Sequence, residues 1–415
     1  MAKDGHGPVP TAPAPPAELP AVDIGDRIPI EDFGVGLRII RAEDMTDAEV
    51  NSAIELLRLA FNGGPGWFAL PVPEADHLRW KLIDPPFEGR AIMVHEDTGR
   101  LVGFSGRLLR RWMVRGEVHL GRDGVESALH PDYQGSGLYT RRSELSNAYP
   151  REEDFRISFG SHPISLLVRK KKGTPNLANP LDNLVRPLDV AGYVRRRAAG
   201  DGRPTGSRTR IAIEGKRRRL PRPTLLKRAV WHARLLRQRL RHRPLQFYRD
   251  DFTIRTVERF DDRIEQFFEA AARPFALIQV RDQATLNWRY ADRRAGPFTI
   301  RIAEVRDEIV GYAVTRATDE GASLADVLAL PDRDDVAHAL IQDAMHLGRR
   351  AGSPAIRSWM LVNHPYHRLL LHNGFLPIRR IVRPAFTDHG NTKDYGFMHD
   401  PHARIHIMLG DTDHI

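Results

Sequence analysis

The feature that most constrains this chain is an internal repeat, because the second half of the sequence repeats the first. Three pairs of segments match in the same order: 77–84 (HLRWKLID) with 285–292 (TLNWRYAD), 101–104 (LVGF) with 309–312 (IVGY), and 161–163 (SHP) with 363–365 (NHP). The first two pairs share an offset of 208 residues and the third has an offset of 202. Chance would not keep both order and spacing, so the sequence predicts two copies of one fold.

The first copy has the pattern of a mixed α/β unit. Its hydrophobic periodicity predicts the order β-α-α-β-β-β-α-β-α-β. The predicted strands are 37–40, 91–95, 101–109, 117–129, 155–159 and a piece near 184–194, and the helices are 46–61, 74–82, 138–148 and 163–172. A late strand–helix–strand unit needs a right-handed crossover and a parallel neighbour, and an antiparallel meander precedes it. The predicted fold class is therefore α/β, with a mixed central sheet flanked by helices in each copy.

Composition divides the chain into four regions. Residues 1–35 are rich in Pro and Ala and are expected to form a disordered tail, 36–194 hold the first copy, 195–250 form a basic linker, and 251–415 hold the second copy. There is no cysteine, which excludes disulfides, Cys-ligated zinc and a Cys nucleophile. We expect no metal. No apolar run approaches a membrane span and no apolar signal region opens the chain, so the expected location is cytoplasmic.

A glycine-containing loop joins the strand 117–129 to the helix that begins at Leu138. The loop and its flanks read Leu129-His-Pro-Asp-Tyr-Gln-Gly-Ser-Gly-Leu-Tyr139. Glycines between a strand and a helix leave backbone N–H groups free, and the helix dipole adds positive potential at the same point. The pattern is neither a Walker A loop nor a dinucleotide GxGxxG. It predicts a site for a phosphate or pyrophosphate.

The loop resembles the acyl-CoA loop of the GNAT acetyltransferase superfamily, in which a hydrophobic strand end is followed by x-Pro-x-x-(Gln/Arg)-x-x-Gly-x-(Gly/Ala). Leu129, Pro131, Gln134 and Gly137 match this pattern, and Tyr139 stands where a small residue is usual. The resemblance implies that acetyl-CoA is held by Leu129, Gln134, Gly135, Ser136, Gly137, Leu138 and Tyr139. It also implies that Ser161 stands at the position of an Asn that often holds the pantetheine arm, an Asn kept in the second copy as Asn363.

The second copy lacks these glycines. Its equivalent loop reads Pro331-Asp-Arg-Asp-Asp-Val-Ala, and its acidic side chains would repel a phosphate. We expect Asp332, Asp334 and Asp335 to cap the following helix and to pair with its dipole rather than to bind a metal. The second copy is therefore expected to be a degenerate GNAT domain that shapes the substrate cleft. Trp80 and its repeat Trp288 are expected to pack in the two separate cores.

Catalysis of acyl transfer to an amine requires an oxyanion donor, a base and an acid for the leaving thiolate. A backbone N–H near Leu129 is the expected oxyanion donor. Glu126, Asp123 and His119 are the candidate bases, and an apolar strand would make the Glu126 carboxylate a stronger base. The family often places a tyrosine acid where this chain has Arg169, so Tyr139 and Tyr133 are the nearest substitutes.

The linker contains 19 Lys or Arg and 3 Asp or Glu between Arg195 and Asp250. Residues 224–241 have the pattern of a basic amphipathic helix, with Leu225, Leu226, Val230, Trp231, Leu235, Leu236 and Leu240 near one face. Three roles remain open for the basic segment 216–243: a connector packed on both domains, which we favour, contact with an anionic membrane, or contact with nucleic acid.

Taken together, the sequence predicts a GNAT-type N-acetyltransferase that moves an acetyl group from acetyl-CoA to a primary amine on a small molecule or peptide. The two-copy arrangement is similar to that of mycothiol synthase and of the Fem-type aminoacyltransferases. An aminoacyltransferase that uses aminoacyl-tRNA and a non-catalytic CoA-binding protein are the alternatives.

Overall fold

The structure is a computed structural model and describes residues 27–61, 70–148, 152–159, 169–170, 173–199, 225–242, 245–247, 251–382, 384–388 and 395–412. Its strands fall into two mixed sheets flanked by helices, as the sequence predicts. No helix within these ranges is both long and apolar enough to cross a bilayer.

The first sheet has the spatial order β1-β2-β3-β4-β5-β6-β15. Its strands are β1 (Arg27–Ile30), β2 (Val35–Arg41), β3 (Gly89–Glu96), β4 (Leu101–Val114), β5 (Glu117–Leu129), β6 (Phe155–Ser158) and β15 (Ala385–Asp388). Its helices are α1 (Asp47–Ala60), α2 (Glu74–Leu82) and α3 (Leu138–Ala148). Helix α1 begins with the predicted capping box, in which the Thr46 side chain accepts from the Glu49 N–H and Glu49 Oε2 accepts from the Thr46 N–H at 2.8 Å.

The second sheet has the order β14-β7-β13-β12-β11-β10-β8. Its strands are β7 (Leu181–Pro187), β8 (Thr253–Val257), β10 (Phe298–Val305), β11 (Glu308–Ala317), β12 (Ala322–Ala329), β13 (Ala355–Leu361) and β14 (Leu376–Val382). Short strands β9 (Leu277–Gln279) and β16 (Ile405–His406) extend β4 of the first sheet. The remaining helices are α4 (Val190–Ala199), α5 (Leu225–Arg241), α6 (Arg263–Ala272), α7 (Gln283–Leu286), α8 (Asp334–Arg350) and α9 (Pro365–His372).

The two halves of the chain exchange one strand each. Strand β7 comes from the first half but pairs with β13 and β14 in the second sheet. Strand β15 comes from the second half but pairs with β6 in the first sheet. An isolated β-bridge joins Asn176 of the first half to Ala385 of β15. This bridge corresponds to the pairing of β14 with β7 in the second sheet. Neither sheet is therefore complete without the other half of the chain.

The repeated tryptophans contact each other between the halves, and the expectation that they pack in separate cores is wrong. The Trp80 Nε1–H donates to the Trp288 carbonyl at 2.8 Å, and the Trp288 Nε1–H donates to the Trp80 carbonyl at 2.9 Å. Their rings stack with centroids 5.1 Å apart. A reciprocal contact of this kind is what a twofold relation between two similar units produces. Each Trp needs a partner for its buried indole N–H, and the equivalent segment supplies it.

The cores lie on both faces of each sheet. Helices α1 and α2 cover one face of the first sheet through a cluster that includes Leu57, Leu78 and Phe104. Helix α3 covers the other face with Leu138 and Leu145. The largest cluster combines residues of both halves, among them Trp112, Phe155, Phe267, Tyr312 and Leu328. The hydrophobic interior therefore continues from one half into the other.

Three segments differ from their sequence-based expectations. Residues 27–30 form β1, inside the predicted tail, because Ile30 is buried beside Leu37. The predicted extended piece at 184–194 is strand β7 followed by helix α4. Helix α5 begins at Leu225 as expected, but Trp231 and Leu235 pack inward while Val230, Leu236 and Leu240 are exposed, so its apolar residues do not share one buried face. Most of the predicted helix 163–172 lies outside the described residues.

The tryptophan pair predicts a measurable coupling between the halves. Trp80→Phe and Trp288→Phe each remove one N–H and leave the opposite carbonyl buried without its donor, which should lower the free energy of unfolding by about 1–3 kcal/mol beyond the loss of ring size. Trp112→Phe is the control, since Trp112 is fully buried and its Nε1 has no hydrogen-bond partner among the described residues. Denaturant unfolding of the three variants measures the difference. An equal loss in all three would contradict a role for the reciprocal hydrogen bonds.

Candidate functional site

A cleft opens beside the central strand of the first sheet. Strands β5 and β6 run parallel and pair only at Gly121 with Phe155 and at Arg122 with Arg156, after which they diverge. Gly124 and Ser127 are consequently exposed, although they lie on an interior strand. Among the described residues, no strand pairs with this edge of the C-terminal half of β5.

A β-bulge lies on β5 within this cleft. Gly106 pairs with Val125 and Phe104 pairs with Ala128, so β5 has one more residue than β4 over this stretch. The extra residue is accommodated at Glu126, which has a φ of 49°. A bulge bends a strand and increases its twist, which moves β5 away from β6. The sequence analysis missed this bulge, because no glycine marks it.

The backbone of Leu129 points into the cleft. The His130 N–H donates to the Val102 carbonyl at 2.8 Å, and N–H groups on an antiparallel strand alternate in direction. The Leu129 N–H therefore points away from β4, and no described residue accepts a hydrogen bond from it. The Gln134 side chain donates from Nε2 to the Leu129 carbonyl at 3.0 Å, which fixes the loop against the end of the strand.

The loop after β5 presents a row of free backbone donors. Gly135 and Gly137 have φ of 81° and 100°, which other residues rarely adopt. Among the described residues, nothing accepts a hydrogen bond from the N–H groups of Gly135, Gly137 and Tyr139. The Leu138 N–H is already satisfied by Ser136 Oγ at 3.2 Å, while the Leu138 side chain is fully buried and anchors α3. Backbone N–H groups at the start of a helix are donors of the kind that bind anions in proteins.

Two contacts hold the loop in place from the side of β3. The Tyr133 hydroxyl donates to Glu96 Oε1 at 2.8 Å, and Arg100 also hydrogen-bonds Glu96. Hydrogen bonds from Arg100 and then from Tyr133 lower the pKa of Glu96 to about 2. Tyr133 is therefore an anchor of the loop in this structure.

Arg142 lies beneath the loop and was missed by the sequence analysis. Its guanidinium is buried, donating from Nη1 to the Phe104 carbonyl at 3.2 Å and from Nη2 to Ser127 Oγ at 3.2 Å. The ring of Tyr139 covers the guanidinium, with Cζ 4.7 Å from the ring centroid. Burial lowers the pKa of Arg142, since no described carboxylate forms an ion pair with it. The cation adds positive potential between the bulge and the loop.

The three predicted bases on β5 are all buried, and each has a partner. Glu126 Oε1 lies 2.5 Å from Lys81 Nζ, with both side chains about as buried as the core. Asp123 lies 3.9 Å from Arg110 Nη2, and His119 Nδ1 lies 2.7 Å from the Tyr395 hydroxyl. Of the three, Glu126 is adjacent to the exposed cleft residue Ser127.

The structure brings the predicted residues of the CoA loop together, whereas Asn363 has a different role. Leu129, Gln134, Gly135, Ser136, Gly137 and Leu138 line one continuous path from β5 to α3. Tyr139 is 40% exposed at the start of α3, on the same path. Ser161 lies outside the described residues. Asn363 donates to the Pro401 and Ala403 carbonyls and so fixes the C-terminal segment. Within the described residues, no three His, Asp or Glu side chains are placed to hold a metal ion.

The equivalent cleft of the second sheet is filled. Strands β12 and β13 also pair at only two positions, Ala322 with Ile356 and Ser323 with Arg357. The Ala329 N–H, equivalent to that of Leu129, donates to the Tyr366 hydroxyl at 3.0 Å. The Val327 N–H donates to Met408 Sδ at 3.3 Å, and Met408 bridges to Met360 on the other side. The C-terminal segment thus occupies the gap that stays open in the first half.

The aspartates of the second loop lie near the helix dipole as predicted, but they do not cap the helix. Asp334 and Asp335 lie in the first turn of α8, where they complement the dipole. The expected cap is wrong, since Arg333 occupies the N-cap position and no side chain caps the helix. Asp335 instead binds the Arg333 guanidinium at 3.0 Å.

Behind the filled cleft, the side chains of His364, His406, Asp326 and Arg281 form a buried series of hydrogen bonds. His364 Nδ1 accepts from the Tyr366 N–H at 3.0 Å, so its Nε2 carries the proton that faces His406 Nδ1 at 2.9 Å. His406 Nε2 in turn faces Asp326, which also binds Arg281. Burial, with the nearby His406 and Arg281, lowers the pKa of His364, and burial likewise lowers the pKa of His406. Burial therefore favours the neutral form of both imidazoles.

The fold is similar to that of solved N-myristoyltransferase structures. A crystal structure of Saccharomyces cerevisiae N-myristoyltransferase with bound myristoyl-CoA is 13% identical, with a TM-score of 0.50, covering 87% of this chain and 84% of that chain. A structure of the same enzyme with bound myristoyl-CoA and inhibitors has a TM-score of 0.53 at 13% identity, covering 90% and 82%. No protein-family model and no curated protein sequence matches the chain. Because the match covers most of both chains, it includes both sheets.

The histidine pair predicts a loss of stability in mild acid. The unfolded chain binds protons at these two histidines near pH 6.5, whereas folding lowers the pKa of both, so the folded protein binds these protons only at lower pH. The free energy of unfolding should therefore fall as pH drops below about 6.5, by up to ~1.4 kcal/mol per pH unit for each histidine. His364→Gln should flatten this slope in urea titrations between neutral and mildly acidic pH. His232→Gln, at an exposed site on α5, is the control and should leave the slope unchanged; a slope unaffected by His364→Gln would contradict the assignment.

Proposed function

We propose that this protein is an acyl-CoA-dependent N-acyltransferase that acts through the cleft of its first half. The observation that carries the proposal is a line of backbone N–H groups, from Leu129 through Gly135 and Gly137 to Tyr139, that have no acceptor among the described residues. Backbone N–H groups rarely stay without partners in folded proteins unless a ligand or water takes them. A thioester carbonyl at Leu129 and a diphosphate at the loop would use all four. The fold shared with N-myristoyltransferase supports this use of the cleft.

We further propose that the acyl group is short, with acetyl-CoA as the donor. The support for a short acyl group is the loop itself, because the pattern from Leu129 to Tyr139 resembles the acyl-CoA loop of the acetyltransferases.

The chain's own groups have distinct tasks in this reaction. As the acceptor nitrogen forms its bond to the carbonyl carbon, negative charge develops on the carbonyl oxygen, and the Leu129 N–H stabilises it. The amine proton passes to a carboxylate, for which we propose Glu126 through one water. When the carbon–sulfur bond breaks, the thiolate takes up a proton, and we propose Tyr139 as its source. Arg142 holds the Ser127 hydroxyl and the bulge in position.

The second half supports this site without repeating its chemistry. We propose that it arose by duplication, since the tryptophan contact and the strand exchange are both reciprocal. Its equivalent N–H at Ala329 is satisfied by Tyr366, and its loop lacks glycine. It therefore binds no CoA of its own. It completes the first sheet through β15 and contributes one wall of the acceptor site.

The first prediction from this proposal concerns CoA binding. Gly137→Asp places a side chain and a negative charge at a φ of 100°, facing the diphosphate position. We expect calorimetry to show CoA binding abolished. Gly352→Asp is the matched control, because Gly352 also has positive φ and open space but lies after α8 in the second half. Full binding by Gly137→Asp, or equal loss in both variants, would contradict the site assignment.

The second prediction separates a catalytic from a structural role of Glu126. Glu126→Gln leaves Lys81 buried without its carboxylate, which should destabilise the protein by about 3–5 kcal/mol. The double variant Lys81→Met, Glu126→Gln removes both charges and should recover most of that stability. If Glu126 is the base, kcat/KM of the double variant should still be lower by about 10²-fold or more near neutral pH.

The loss should shrink at high pH, where free amine is abundant. Release of the CoA thiol is measured with a thiol reagent over a panel of primary amines, and the protein adds no background because it contains no cysteine. Wild-type activity in the double variant would show that Glu126 serves only as the partner of Lys81. Asp123 would then become the candidate to test.

A further inference from the structure

Helix α5 packs through one narrow face on α4 and on the end of α9. The Trp231 ring meets Tyr193 of α4 edge-on at 5.0 Å, and Leu235 packs in the same cluster. The Gln238 side chain donates to the Leu371 and Phe375 carbonyls near the end of α9. These three positions lie one turn apart on the same side. They hold the helix rigidly against the protein.

The opposite side of α5 is apolar and exposed. Successive residues of an α-helix are about 100° apart around its axis. This spacing puts Ala229, Ala233, Leu236 and Leu240 on the side of α5 opposite its packed residues. We call these four positions the outer stripe. All four are exposed, and the two leucines have 59% and 72% of their surface in solvent. A helix that is already anchored has no structural need for leucines on its solvent side.

Cations border the outer stripe on both sides. Arg228 and Arg239 lie along one edge, and Arg234, Arg237 and Arg241 lie along the other. Helix α5 contains no acidic residue, and none of these arginines forms an ion pair with a described carboxylate. The positive region continues onto the neighbouring elements, because Arg239 and Arg349 lie close enough to Arg186 to lower its pKa further after burial.

We propose that the outer stripe and its arginines dock the protein onto the surface of an anionic lipid bilayer. An apolar stripe between two rows of cations fits the boundary between acyl chains and anionic headgroups, with the helix axis parallel to the membrane. A nucleic acid would satisfy the arginines but would leave Leu236 and Leu240 against phosphates and water. The combination of charge and apolar surface selects the lipid. The proposal is independent of the acyltransferase activity.

The test uses the full-length protein and two kinds of vesicle, phosphatidylcholine alone and an equimolar mixture with phosphatidylglycerol. Wild type should sediment with the anionic vesicles and should be released by high salt. Arg234→Gln, Arg237→Gln, Arg241→Gln together should lower the partition coefficient about a hundredfold, or about fivefold per arginine. Leu236→Asn, Leu240→Asn should lower it at least about tenfold. Both sets of sites are exposed, so circular dichroism should show unchanged folding.

Matched controls come from other surfaces of the same chain. Leu59→Asn changes a leucine that is 54% exposed on α1, and the triple variant Arg273→Gln, Arg293→Gln, Arg306→Gln makes the same change in net charge at exposed arginines of the second half. Both controls should bind as wild type does. Absence of wild-type binding to anionic vesicles would overturn the proposal, as would full binding by the leucine variant. Binding to tRNA that depends on the α5 arginines and not on the leucines would overturn it in favour of a nucleic-acid partner.

Discussion

A strand inside a sheet that loses its neighbour leaves backbone donors without partners, and this constraint explains both halves of the protein. In each sheet the parallel pair stays together for only two residue pairs. In the second half, the resulting N–H groups are satisfied internally, at Ala329 by Tyr366 and at Val327 by Met408. In the first half the corresponding donor at Leu129 has no described partner. The same divergence of strands thus gives a packed core in one half and an open cleft in the other.

The bulge at Glu126 links this constraint to the side chains around it. A residue with a φ of 49° in a strand is strained, and strain persists only where surrounding contacts hold it. Here Lys81 binds the Glu126 carboxylate on one side, and Arg142 binds the Ser127 hydroxyl on the other. Because both cations are buried, their removal would affect the backbone of the cleft as well as its electrostatics.

The sequence predicts the parts of this structure that depend on local signals. The capping box at Thr46, the strand 117–129 and the helix 138–148 agree with the structure because capping and periodicity are properties of neighbouring residues. The exchange of β7 and β15 could not be predicted, because a strand's own sequence does not specify which of two similar sheets it joins. The sequence shows that Trp80 and Trp288 occupy equivalent positions of a repeat. It does not show that they contact each other, because equivalent positions need not be close in space.

The site shows the same division. The spacing of Gln134, Gly135 and Gly137 predicts the loop, and its backbone agrees with that prediction because both glycines have positive φ. Arg142 has the charge of a surface residue, and its burial follows from the position of the bulge. A usable signal did exist: Arg142 lies four residues after Leu138 and three before Leu145, on the apolar side of α3. The ion pair of Glu126 with Lys81 joins residues 45 apart in sequence, which no local pattern encodes.

The strand exchange has a consequence for how such a chain can evolve. A duplicated copy that has lost its ligand is normally free to shrink or disappear. Here the second copy holds β7 between β13 and β14 and returns β15 to the edge of the first sheet. Deleting it would strip the first sheet of its final strand and leave β7 without a sheet. The second half is therefore retained by topology, and selection on the first half alone is enough to preserve both.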